Sequence, residues 1–109
     1  KILVAITVLL SFTSSEAQIK NAKTETVKIY GNCGMCEKRI EKAAFEIKGV
    51  KSAVWDIESH QLNLIINEEK TTLLAVEQSI AKVGHDTQDV KSTESDYENL
   101  HHCCKYERQ

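Results

Sequence analysis

From Thr24 the chain alternates. Thr-Glu-Thr-Val-Lys-Ile-Tyr sets Val27 and Ile29 on one side and polar residues on the other, the period-two signature of a half-buried strand. The period then changes. Cys36, Ile40, Ala43, Ala44 and Ile47 recur at helical spacing along one stripe, which predicts an amphipathic helix with Cys36 at the top of its buried face. Gly49 supplies the stop, and Val50 is placed for the accompanying apolar contact. Alternation returns in a second strand, with Ala53, Trp55 and Ile57 expected inward and Val54, Asp56 and Glu58 outward. After a turn at Glu58-Ser59-His60-Gln61, Leu62, Leu64 and Ile66 form the inner face of a third strand. Thr71 or Thr72 can cap a second helix carrying Leu73, Val76, Ile80 and Val83, which Gly84 ends. His85 to Ser92 leaves room for one short last strand, supported mainly by Val90.

The order strand, helix, strand, strand, helix, strand predicts an α+β fold. Right-handed crossovers make the simplest closed answer a ferredoxin-like βαββαβ sandwich, a four-stranded antiparallel sheet with both helices on one face. In that topology the loop after the first strand, the hairpin and the loop after the second helix fall at one end. The loop holding Cys33 and Cys36 therefore shares its end with His60 and His85. The last strand adjoins the first, which puts His85 nearer the cysteines.

Composition narrows the class. A length of 109 residues allows one small domain, and 41% hydrophobic with 28% charged residues fits a globular chain. A formal net charge of -2 gives no basic footprint for nucleic acid. Lys1 followed by the apolar run Ile2 to Leu10, then a polar stretch and Ser15-Glu16-Ala17, reads as a secretory signal peptide over residues 1–17. The run is about half the roughly 20 residues a bilayer span needs. The expected mature protein is exported, periplasmic if its source is a Gram-negative bacterium, and has no membrane span. Residues 18–92 form the domain and 93–109 a tail.

Cys33 and Cys36 stand where strand gives way to helix. There the free amides and dipole of a helix start favour thiolate, the species that binds soft metals or attacks disulfides. Three chemistries share the Cys-x-x-Cys pattern: zinc sites, redox sites and soft-metal carriers. A thioredoxin-like redox site uses a cis-proline, and the chain contains no proline. A zinc ribbon needs a second spaced pair, whereas Cys103 and Cys104 are adjacent. A direct bridge between those two would be strained.

Gly-Asn-Cys-Gly-Met-Cys-Glu-Lys-Arg-Ile, the Gly-Val before the second strand, and Ala-Val-Glu-Gln-Ser-Ile-Ala-Lys-Val-Gly-His-Asp before the last together resemble the heavy-metal-associated domain family. The resemblance spans about residues 24 to 92. It implies one soft ion between Cys33 and Cys36, passed on by thiolate exchange, with no catalytic turnover. Cu(I) is the first expectation, with Hg(II) and Zn(II) as alternatives and a thiol-disulfide protein as the rival class. The implied partners are a metal-pumping P-type ATPase or another metal carrier. Two departures stand out. Where the family commonly has a methionine, two residues before the first cysteine, this chain has Gly31, and Met35 lies between the cysteines. After the second-helix glycine stands His85, whose imidazole is a candidate third ligand.

The tail lies outside the resemblance. Ser95-x-x-Glu98 is a capping-box pattern, and Tyr97, Leu100 and Cys104 would share a face of one short helix, with His101 a turn before Cys104. His101-His102-Cys103-Cys104 gathers half the histidines and half the cysteines into four residues. The tail is expected to bind metal through His101, Cys103 and Cys104. It does so either by reaching the Cys33 and Cys36 loop, or as a separate site that includes a metal-bridged homodimer.

Overall fold

The computed structural model describes residues 21–109. The signal-peptide expectation for residues 1–17 lies outside the described residues. No helix among the described residues is long and apolar enough to cross a membrane. The elements follow in the order β1 (Ala22–Lys28), α1 (Gly34–Phe45), β2 (Val50–Trp55), β3 (Gln61–Asn67), α2 (Leu73–Lys82) and α3 (Glu94–Glu98), then a 3-10 turn at His102–Cys104.

The period-two stretches fold as their patterns dictate. In the antiparallel sheet, ordered β1-β3-β2, Leu62 lies between Val27 and Trp55, and Leu64 faces Ala53. Val27, Leu62, Leu64, Ile66, Ala53 and Trp55 form its buried face, over which Cys36, Ile40, Ala43 and Ala44 of α1 and Val76 and Ile80 of α2 close. Thr72 caps α2, its hydroxyl accepting the Ala75 N–H at 3.1 Å. Gly84 ends α2 at φ +108°, a conformation that side chains with a Cβ rarely adopt.

Two expectations are corrected. Ile57 does not continue the inward row of β2 and is exposed. The strand stops at Trp55 because Asp56 starts a turn, its carboxylate accepting the Ser59 N–H at 2.9 Å and its carbonyl the His60 N–H at 2.8 Å. The sheet also has three strands rather than four, the fourth being reduced to a single bridge between Ile29 and Thr87. The hydrogen bonds that a strand over His85 to Ser92 would have given its neighbour go elsewhere. The Thr87 N–H donates to the Val90 carbonyl, the Val90 N–H to the Thr87 hydroxyl, the Asp89 N–H to the Glu77 carboxylate and the Ser92 N–H to that of Asp86. Side chains have displaced the ladder. Burial raises the Glu77 carboxyl above its usual range, while the Thr87 hydroxyl and Asp89 N–H it accepts pull the other way.

Candidate metal centre

The loop that presents the first cysteine pair rests on Trp55. The Trp55 indole N–H donates to the Ile29 carbonyl at 3.1 Å, locking the ring beneath the loop. A Cβ on Gly31 would lie 3.1 Å from both the Trp55 ring and the Cβ of Cys36, so only glycine passes there without displacing a neighbour. Trp55 thus occupies the space under the loop. Cys33 follows as the extended residue capping α1, its carbonyl accepting the Glu37 N–H at 3.1 Å. Cys36 lies one turn inside α1 with its side chain fully buried, and its thiol donates to the Asn32 side-chain oxygen at 3.2 Å.

The tail returns to that loop. It is not the single helix expected from Tyr97, Leu100 and Cys104. Thr93, not Ser95, caps the five-residue α3, accepting the Asp96 N–H at 3.0 Å. The chain leaves helical geometry after Glu98 and turns again at His102–Cys104. Leu100 packs so closely on Gly84 that a Cβ there would come within 2.7 Å of it. Tyr106 then seats the end of the chain: its hydroxyl donates to the Gly84 carbonyl at 2.8 Å and accepts the Asp86 N–H at 2.6 Å. Arg108 grips Asp86 with two bonds, at 2.9 and 2.8 Å, and donates to the Ser92 carbonyl at 2.6 Å. Burial alone would raise the Asp86 carboxyl, but Arg108 and the Ser92 N–H hold it below its usual range.

Folding back in this way brings the four sulfurs together. Cys33 Sγ lies 3.5 Å from Cys36 Sγ and 3.6 Å from Cys104 Sγ, and Cys104 Sγ lies 3.9 Å from Cys103 Sγ. The ligand atoms of Cys33, Cys103 and Cys104 all fall within 4.8 Å of one another. All four cysteines are free thiols. Depth varies along the row: Cys36 and Cys104 are fully buried, Cys33 is half-buried and Cys103 is exposed.

Environment separates the two loop thiols. Burial would raise Cys33, but the amides of Cys36 and Met35 and the thiols of Cys36 and Cys104 outweigh it and bring it down to about 7. These amides face the sulfur without closing a formal cap. Burial pushes Cys36 up to about 12, with Cys104 and Cys33 adding to the rise. Partial burial and the neighbouring thiols of Cys104 and Cys33 raise Cys103. The first proton therefore leaves Cys33, the sulfur at the centre of the row.

His85 is given interior partners. Its ring is fully buried, its Nδ1–H donates to the Tyr30 carbonyl at 2.8 Å, and it stacks on Tyr106 at 5.5 Å. It is not in the group of clustered ligand atoms. Burial brings it down to about 4, so the ring is neutral. His101 is exposed, with Nδ1 3.4 Å from Cys103 Sγ. His60 stacks on Trp55 at 5.7 Å. Sequence reasoning missed the residues that dock the tail, Tyr106, Arg108, Asp86 and Ser92, because no period or motif links them. It also missed buried Glu77, although its spacing from Leu73 and Ile80 places it on the inner side of α2.

The model of the heavy-metal-associated domain matches residues 26–86, more than half of the chain. The chain belongs to the heavy-metal-associated domain family. Members of this family are metal-binding chaperones, not enzymes. Among solved structures, a CopZ metallochaperone is 27% identical over 60% of this chain and 98% of its own, with a TM-score of 0.58. The water-soluble region of the P-type ATPase CopA from Bacillus subtilis is also 27% identical, over 61% of this chain and 44% of its own, with a TM-score of 0.56. Oxidised MerP from Ralstonia metallidurans CH34 shares the fold at 22% identity, over 62% of this chain and 94% of its own, with a TM-score of 0.59. No curated protein sequence matches the chain. The heavy-metal-associated match ends at Asp86, before the tail that brings in Cys103 and Cys104.

Proposed function

We propose that this protein is an exported Cu(I)-binding protein that holds its cargo on the thiolates of Cys33, Cys36 and Cys104. One observation carries the reading: Cys33 Sγ stands 3.5 Å from one partner sulfur and 3.6 Å from another. Metal–sulfur bonds of about 2.3 Å put three ligands about 4 Å apart around a trigonal ion, so the row needs to open by less than about 1 Å. Soft thiolates favour Cu(I), whereas Zn(II) prefers four ligands. The copper names of the 27% identical CopZ and CopA relatives support the same ion.

A third thiolate changes the balance between carrying and keeping. Two-coordinate metal is open to attack by a partner's thiolate, whereas a site closed by Cys104 holds its ion until the tail yields a position. The protein therefore sequesters Cu(I) and releases it by thiolate exchange to a metal-pumping P-type ATPase or another carrier. Neutral His85 steadies the loop through Tyr30 instead of ligating. Export rests on the pattern of residues 1–17, and the mature protein recovered from producing cells should begin near Gln18.

Competitive Cu(I) titration of the reduced full chain against a defined chelator, with Zn(II) and Hg(II) in parallel, tests the metal. Cu(I) should be bound with the chain outcompeting a weak chelator. Failure to take Cu(I) from such a chelator would sink the reading, and preference for Hg(II) would turn it toward mercury binding.

A further inference from the structure

Outside the inner three sulfurs lies a second set of donors that the proposed cargo site does not use. Cys103 Sγ is 3.8 Å from Met35 Sδ and 3.4 Å from His101 Nδ1. The three come from separate places, the first turn of α1, the residue before the 3-10 turn and the turn itself. Met35 and Cys103 are both exposed, so hydrophobic burial does not bring these side chains together. The spacings suit one ion, because ligands at about 2.3 Å lie about 3.8 Å apart at the corners of a tetrahedron.

We propose that Met35, His101 and Cys103 form a second, outer site for Cu(I), joined to the inner one through the neighbouring sulfurs of Cys103 and Cys104. The donor chemistry sets its selectivity. A thioether is a soft ligand that suits Cu(I), and imidazole serves copper as well. The position is open to solvent where the inner site is buried, so the outer ion is the first to meet an incoming donor and the first to leave. The chain thus takes two ions per monomer. The inference rests on the soft-metal reading of the inner site, and the two fail in different ways.

The test is a stepwise Cu(I) titration of the reduced full chain without oxygen, counting bound ions on the monomer by native mass spectrometry while a chromophoric chelator reports affinity. Two ions per monomer are expected, the second the weaker. Met35→Leu and His101→Ala should each weaken the second ion by about tenfold or more while changing the first by less than about twofold. Both side chains are exposed, so an unchanged circular dichroism spectrum is expected of each variant. A single ion per chain overturns the outer site and leaves the inner one standing. Two ions that both ignore Met35→Leu and His101→Ala, or a second ion seen only in dimers, also overturn it. No ion at all removes the inner reading and this one with it.

Discussion

The loop pair and the tail pair of cysteines are built on one plan and held by different forces. Each joins a fully buried sulfur, Cys36 or Cys104, to a more open one, Cys33 or Cys103. The loop pair is fixed by the core, since α1 and Trp55 could not move it without unpacking the sheet face. The tail pair is fixed by a few polar contacts around Tyr106, Asp86 and Arg108. The loop geometry should therefore persist for as long as the domain is folded, while the tail can be loosened alone.

The largest effect should come from the residue both pairs share. Cys33→Ser removes the sulfur that touches Cys36 and Cys104, and Cu(I) affinity should fall about a thousandfold, or about 4 kcal/mol, in competitive titration. An equal loss from Cys103→Ser would break the contrast between a central and a peripheral thiol.

Next in size is acid. His85 bonds to Tyr30 on the loop side and stacks on Tyr106 of the tail. Its value falls from 6.5 to about 4 on folding. Between those two pH values the unfolded chain binds more protons, so stability is full above pH 6.5 and declines toward pH 4. The total is about 3 kcal/mol, readable by denaturant melts of the metal-free protein. His85→Phe should flatten this slope.

A smaller change, confined to the tail, should follow Arg108→Ala. Losing its charge-assisted bonds to Asp86 should cost about 2 kcal/mol of stability. Cu(I) affinity should drop about tenfold as Cys104 withdraws, leaving the Cys33 and Cys36 pair intact. Denaturant melts and chelator competition on the same sample separate the two effects. Smallest of all, Thr93→Ala removes the cap of α3 for about 1 kcal/mol, with affinity within about twofold of the parent. If Thr93→Ala cost as much affinity as Arg108→Ala, α3 rather than the polar contacts would be holding the tail.

Periodicity made the two helices and three of the strands legible, because Val27, Ile40, Leu64 and Ile80 repeat at spacings that report their own geometry. The fourth strand misled for a physical reason. His85 to Ser92 is rich in side chains that bond to backbone, and Asp86, Thr87 and Ser92 satisfy amides that a ladder would have used. Cys33 and Cys36 announced themselves by spacing and by their place before a helix. That Cys104 reaches them depends on Tyr106 and Arg108 meeting Gly84 and Asp86 across about twenty residues, and such pairings leave no local trace in a sequence. His85 shows the limit of topology, which gives a side chain's neighbourhood but not the partner it turns to.

The seat of Tyr106 on Gly84 and Asp86 also sets the terms on which this protein meets other thiols. Tethering the tail sulfurs to the same chain raises their effective concentration at the loop to millimolar or more. A small free thiol must reach comparable levels before it can displace Cys104, however abundant it is in the surroundings. A protein partner avoids that contest by presenting two sulfurs at once, or by first prising Tyr106 from its seat. Selectivity for the right recipient would then lie in the strength of the tail's anchorage as much as in the affinity of sulfur for metal.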